Sequence, residues 1–294
     1  METMRPVTIG DVVVGGDSLT VIAGPCVLED EDTNILIAQR IRDLCQQLGL
    51  GYIFKASYDK GNRALGTSYR GPMLKQGLQL LAEIRRQIGV PVLTDVHSED
   101  EARMAAETVD VLQIPAYLCM QTSLIETAAR TGRALNVKKG QFLAPTAVRG
   151  IVEKVRGCGN ERLLLTERGT TFGYLNLISD MRALPIMRMT GCPVVFDPTH
   201  VIRRPGIASS DPAGGEPEFV PHLTRAAIAA GVDAIFIETH PHPRHASCDA
   251  SSMYPLHLME QLLKQAAQLH NLVHQWDTTP HPRDKDGYLE CCQP

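Results

Sequence analysis

Residues 73–95 read MLKQGLQLLAEIRRQIGVPVLTD. The first part of this stretch places Leu74, Leu78, Leu81 and Ile84 at the three- and four-residue spacing of one helical face, with Lys, Gln, Glu and Arg elsewhere. After Gly89 the pattern changes to PVLTD, a short and nearly unbroken apolar run that ends on a carboxylate. Unbroken apolar runs, as opposed to alternating ones, mark parallel strands covered on both faces.

The same unit recurs along the chain. Candidate strands are 20–24 (TVIAG), 51–55 (GYIFK), 91–95 (PVLTD), 110–114 (DVLQI), 134–138 (ALNVK), 162–167 (RLLLTE), 193–197 (PVVFD) and 233–238 (DAIFIE), with amphipathic stretches such as 33–48 between them. Eight strand–helix units predict an α/β fold, a (β/α)8 barrel. An open doubly wound sheet is the alternative, but no GxGxxG follows the first strand. Residues 6–14 (PVTIGDVVV) predict a hairpin turning at Gly10 and Asp11. The expected organisation is an N-terminal hairpin over 1–17, a catalytic barrel over 18–272 and a disordered tail over 273–294, where proline and polar residues dominate. The long stretch 203–217 (RRPGIASSDPAGGEP) is expected to form a mobile lid.

Composition narrows the function. The chain has 294 residues, 44% of them hydrophobic, and a net charge of −4, a balance that gives no reason to expect nucleic acid or a membrane as partner. No apolar run is long enough to span a bilayer, and the N-terminus lacks a signal-peptide core. The eight cysteines include no CxxC pair and suggest reduced thiols in a cytoplasmic protein.

Barrel chemistry sits at the C-terminal strand ends. Polar residues there are Cys26, Lys55, Lys60, Asp95, His97, Gln113, Lys138, Lys139, Glu167, Arg168, Asp197, His200, Glu238 and His240. Any one of them alone is an ordinary solvated loop end, but eight parallel strands bring them all to one mouth. Lys60, Arg63, Arg70, Lys138 and Arg168 focus positive charge on an acidic protein, which suits a phosphorylated or carboxylated small molecule. Cys26, His200, Glu238 and Asp249 offer thiolate, imidazole and carboxylate, the donors of transition metals. The tract HPHPRH at 240–245 looks like a metal site but reads mainly as a loop, because its prolines force an extended path.

Several segments together resemble the 3-deoxy-D-manno-octulosonate 8-phosphate synthases: IAGPC (22–26), FKASYDKGNR (54–63), SYRGP (68–72), TDVH (94–97), LQIPAYLC (112–119), NVKKGQFLAP (136–145), TERGTTFGY (166–174), FDPTH (196–200) and IETHP (237–241). The likeness runs in order from about residue 18 to 270. It implies a transferase that condenses phosphoenolpyruvate with arabinose 5-phosphate and releases inorganic phosphate, on the route to lipopolysaccharide sugar. By the family pattern Lys60 and Ser57 lie near the carboxylate of phosphoenolpyruvate, and Lys138 and Arg168 hold its phosphate. Lys55, Asn62, Arg63 and Asp95 would face the aldose, with Gln113 also among the substrate contacts. The reacting centre would include Cys26, Lys60, Asn62, His200 and Asp249.

That family comes in two kinds. One has asparagine at the position of Cys26 and needs no metal; the other has cysteine and uses one divalent ion. Cys26, His200, Glu238 and Asp249 all match the second kind, and such donors accept zinc, iron(II), manganese, cobalt or cadmium. The resemblance also implies a homotetramer. Three departures stand out: KGNRAL (60–65) where the family has KANRSS, LCMQTS (118–123) where it has LCRQTD, and AGG (213–215) where it has SGG. Ala64 and Met120 thus replace groups that would hold the aldose phosphate. A different aldehyde acceptor is one reading of this loss; compensation by Arg63, Arg203 or Arg204 is the other. A metal-dependent aldolase and a catalytically silent binding protein are the competing classes. The phosphate-cradle motifs speak against the first, and the intact ligand set against the second.

Overall fold

A computed structural model of the chain describes residues 2–61, 69–209 and 211–276. The predicted rhythm is present. Strands β3 (Thr20–Gly24), β4 (Gly51–Lys55), β5 (Val92–Asp95), β6 (Val111–Ile114), β7 (Ala134–Lys138), β8 (Leu163–Glu167), β9 (Val194–Phe196) and β10 (Ala234–His240) pair in sequence order, all parallel. The sheet closes on itself where Ala234 to Glu238 of β10 pair with Thr20 to Gly24 of β3. This is a (β/α)8 barrel, with every residue of β3, β5, β6, β7, β8, β9 and β10 buried.

The helices are built as their sequences require. In α1 (Glu31–Leu48) the Asp30 carboxylate accepts the Thr33 amide at 2.8 Å, and Gly49 ends the helix in the left-handed conformation at φ 67°. Helix α2 (Leu74–Ile88) buries Leu78, Leu81, Ile84 and Ile88 against the barrel wall. Burying each such side chain stabilises the fold by about 1.5–3 kcal/mol.

The hairpin, β1 (Val7–Ile9) and β2 (Val12–Val14), has a clear position. Its inward residues Val7, Ile9, Val12 and Val14 join Ile22, Ile53, Leu93, Val111, Ala134, Leu164, Val195, Ala234 and Phe236 in one apolar cluster drawn from all eight barrel strands. The hairpin therefore plugs the N-terminal end of the barrel, leaving the C-terminal end for chemistry. Above the plug the interior turns polar: Asn136 donates to Gln113 at 2.9 Å and accepts from Thr166 at 2.6 Å.

One expectation is corrected. The last helix runs from Met259 to Trp276, so residues 273–276 are helical and not part of a tail; residues 277–294 lie outside the described residues. Val273 is buried on the face that continues the Leu262, Leu263 and Ala266 stripe, which is why the helix extends. The stretch 203–217 makes backbone contacts where it is described. Arg203 bridges to Gly215, Arg204 donates its amide to the Gly214 carbonyl at 3.0 Å, and the Ser251 amide donates to the Ser209 carbonyl at 3.1 Å. No helix among the described residues is long and apolar enough to cross a membrane.

Candidate active site

Glycine 24 explains how Cys26 reaches the mouth. A Cβ on residue 24 would lie 2.0 Å from the Lys55 carbonyl oxygen, so only glycine allows β3 to end this close to β4. Lys55 then pins the turn, its ammonium donating to the Cys26 carbonyl and to Glu238 Oε1, each at 2.7 Å. Both members of the Lys55–Glu238 pair are almost completely buried. Burial alone would raise the Glu238 carboxyl, but Lys55, His200 and Lys60 outweigh it and hold it down at about 2.

Around Cys26 the donors converge. Its Sγ lies 3.2 Å from Asp249 Oδ2 and 3.0 Å from the sulfur of Cys248. The Lys60 ammonium lies 3.0 Å from Cys26 Sγ and 2.8 Å from Asp249 Oδ2. Burial raises the Cys26 thiol pKa well above its usual value, and neighbouring Asp249 adds to this. Asp249 is held well below the carboxylate range, because Lys60 and Arg203 overcome its burial. On the other side of Asp249, His200 Nε2 faces Glu238 Oε2 at 3.8 Å. The imidazole is steered by Asp197, whose Oδ2 lies 2.7 Å from His200 Nδ1 and whose Oδ1 accepts the His200 amide at 3.0 Å.

The four ligands expected from the sequence therefore fall into two triads sharing Asp249: Cys26 with Cys248 and Asp249, and His200 with Glu238 and Asp249. Within each, the donor atoms lie within 4.8 Å of one another. Glu238 Oε2 is buried without a hydrogen-bond donor, and it faces a ring nitrogen across a gap too wide for a hydrogen bond. An unsatisfied carboxylate oxygen opposite an imidazole, with a thiol beside them, fits a divalent ion.

The cationic group lies next to these donors. Lys138 is paired with Asp197 and stands 3.1 Å from the centroid of the Phe236 ring. Burial lowers its pKa to about 8 despite Asp197. Arg168, just past the end of β8, is 9% exposed, and its Nη1 is buried with no protein partner. Burial lowers its pKa, opposed chiefly by Asp197, the carboxylate that also holds Lys138. Lys139 points elsewhere and donates to the carbonyls of Gly140 and Leu143 at 3.1 Å.

A third group lies on the β4–β5 side. Ser57 donates to Asp95, and Asp95 Oδ2 lies 3.0 Å from His97 Nε2. His97 Nδ1 is 3.2 Å from Glu101, which also accepts the Tyr58 hydroxyl at 2.7 Å. Burial opposes the charged ring, but Asp95 and Glu101 raise its pKa to about 9. Gln113 is committed to Asn136 below the mouth. Asn62, Arg63 and Ala64 lie outside the described residues.

Residues 4–275 match the DAHP synthetase I family. The chain belongs to that family. A 2-dehydro-3-deoxyphosphooctonate aldolase of Geobacter sp. (strain M21) is 49% identical over 272 residues, 92% of this chain and 99% of that protein. The protein of the same name in Citrifermentans bemidjiense is 48% identical, with the same coverage of each chain. That of Acidithiobacillus ferrooxidans is 48% identical over 256 residues, 87% of this chain and 91% of its own. As a member of the DAHP synthetase I family the chain is an enzyme, of the transferase type.

Sequence reasoning missed Cys248 and the part played by Asp197. Cys248 carried a signal in standing next to Asp249, but nothing in linear spacing aims both side chains at Cys26. Of the HPHPRH tract, only His240 is buried near the mouth: it accepts the His242 amide on Nδ1 at 3.0 Å, and its Nε2 is 3.5 Å from Glu29. No metal-ligand group among the described residues includes these histidines.

Proposed function

We propose that the chain condenses phosphoenolpyruvate with arabinose 5-phosphate to give 3-deoxy-D-manno-octulosonate 8-phosphate and inorganic phosphate, with one divalent metal ion. The methylene carbon of phosphoenolpyruvate attacks the aldehyde carbon, water adds to the carbon bearing the ester oxygen, and phosphate leaves by C–O cleavage. The observation that carries this reading is Arg168, a buried guanidinium with an unpaired Nη1. A buried guanidinium nitrogen without an acceptor suits an anion, and Arg168 feels the charge of Asp197, the carboxylate paired with Lys138. Together they suit the phosphate of phosphoenolpyruvate, with Lys60 and Ser57 toward its carboxylate. Cys26, His200, Glu238 and Asp249 would hold the ion, which supplies Lewis acidity to the aldehyde or to a bound water. The relatives' name, 2-dehydro-3-deoxyphosphooctonate aldolase, designates the same eight-carbon product.

The test is phosphate release from the two substrates by chelator-stripped protein, before and after manganese or zinc is added. Release that appears only with the metal supports the whole reading. Release without it removes the metal, and silence in both removes arabinose 5-phosphate.

A second reading of the acceptor has a specific observation behind it. Of Arg63, Arg203 and Arg204, the candidates to compensate for Ala64 and Met120, the two among the described residues are both committed. Arg203 pairs with Asp249 at 2.9 Å and Arg204 with Glu216 at 2.8 Å. An acceptor without a phosphate would need neither. Ranking aldehydes by kcat/KM decides between the two acceptors.

Lys138 gives the reaction a pH limit. With a pKa of about 8 in the free protein, its ammonium is lost as the pH rises through 8. The kcat/KM for phosphoenolpyruvate is expected to fall tenfold per unit above about pH 8, while kcat, which reports the bound state, holds to higher pH. Coincident decline of both would place the titrating group elsewhere.

Assembly fits the same picture. Phe172, Tyr174 and Leu175 are 83% exposed or more, and Tyr117, Met120 and Phe142 also face solvent. Exposed apolar side chains of that kind suit self-association, and the resemblance puts the assembly at a homotetramer. A cytoplasmic location would keep Cys26 and Cys248 as thiols.

A further inference from the structure

We propose that Cys248 is a second sulfur ligand of the ion held by Cys26, giving the centre two thiolates and a preference for a thiophilic ion over manganese. This inference rests on the metal reading above and extends it to a residue outside the expected ligand set.

The backbone supplies the first reason. Consecutive side chains on an extended segment point to opposite sides. Cys248 and Asp249 do not: Cys248 Sγ is 3.0 Å and Asp249 Oδ2 is 3.2 Å from the same atom, Cys26 Sγ. The chain manages this because Asp249 adopts φ 46°, a left-handed conformation that aspartate tolerates better than most residues. The turn thereby brings a cysteine and a carboxylate to one thiol.

Burial and charge supply the second. Cys26, Cys248 and Asp249 are 0%, 2% and 7% exposed, so any cation among them would be shielded from water. A cation is already drawn there: the Lys60 ammonium contacts both Cys26 Sγ and Asp249 Oδ2. Asp249 also belongs to the triad of His200 and Glu238, so four other donors surround its carboxylate. Manganese favours oxygen donors, whereas zinc and cadmium favour sulfur. A second thiolate therefore changes which ion is retained.

Bound cobalt(II) provides the readout, through the sulfur-to-cobalt charge-transfer band, whose intensity follows the number of thiolates. Reduced, chelator-stripped full-length protein is loaded with cobalt as wild type, Cys248→Ser and Cys248→Ala, and the band is measured per bound ion. Both variants are expected to keep cobalt and to lose about half of the band. Their preference for zinc over manganese in competition dialysis should fall by about tenfold. An unchanged band in both variants overturns the inference while leaving the metal site intact. Wild type that takes up no cobalt overturns the metal reading and this inference with it. Should the variants not fold, X-ray absorption of zinc-loaded wild type decides directly. Two sulfur scatterers at about 2.3 Å support the proposal and one refutes it.

Discussion

Replacing Arg168 with methionine is expected to lower kcat/KM for phosphoenolpyruvate by about 10²–10³-fold while leaving the melting temperature of the ligand-free protein unchanged or higher. The two halves of this result have one cause. Arg168 is buried, and its Nη1 lacks any protein acceptor, so in the ligand-free protein the side chain carries a desolvation cost that Asp197 offsets only in part. Methionine fills similar space without that cost. A bound phosphate would accept from the guanidinium with charge on both partners, a contact whose truncation costs about 2–5 kcal/mol. Function is thus held at the expense of stability, as expected where a site is prepared for a ligand before the ligand arrives. Steady-state kinetics and a thermal melt on the same preparation check both halves. A variant that melts several degrees lower with an unaltered KM would make Arg168 a structural residue.

The fold was legible because its signal is local and repeated. Each strand is a short unbroken apolar run, and closing eight of them leaves few choices of order. Strand bounds read from sequence differ from the structure by a residue or two, as in 91–95 against Val92–Asp95. The start of the tail differs from the expectation because the polar residues His274 and Gln275 hide a helical stripe that continues through Val273. At the site, the strand-end rule found Lys55, Asp95, Lys138 and Glu238 without any knowledge of family. It could not find Cys248, which lies in a loop and reaches the mouth through the backbone conformation of its neighbour. Nor could it show that the expected ligands divide into two triads, or that Arg203 and Arg204 are committed to carboxylates. These are three-dimensional facts about which charged groups are already satisfied, and linear spacing carries none of them.

Lys55→Met in chelator-stripped protein is expected to cost about 3–5 kcal/mol of stability, the largest loss from a single change in the mouth. Lys55 is 2% exposed and serves two acceptors, Glu238 Oε1 and the Cys26 carbonyl. Removing it leaves a buried carboxylate whose other oxygen already lacks a donor. In wild type Glu238 has its pKa held at about 2, below its unfolded value, so its contribution is complete above about pH 4.5 and lost only as the pH falls toward 2. Without Lys55 only His200 and Lys60 oppose burial, so the carboxyl pKa rises and protonation relieves the variant at a higher pH than it does wild type. The deficit measured by urea unfolding is therefore largest at pH 7 and above, and narrows as the pH falls. Lys55→Met combined with Glu238→Gln should recover most of the loss, because the uncompensated charge is gone, while activity stays absent. Adding a divalent ion to the single variant should also restore stability, since the ion would replace the missing positive charge beside Glu238. A single variant that unfolds at the wild-type urea concentration would show that Glu238 has another counter-charge. Recovery by protonation and by the double substitution, but not by the ion, would mean that Glu238 serves as a structural partner of Lys55 and not as a ligand.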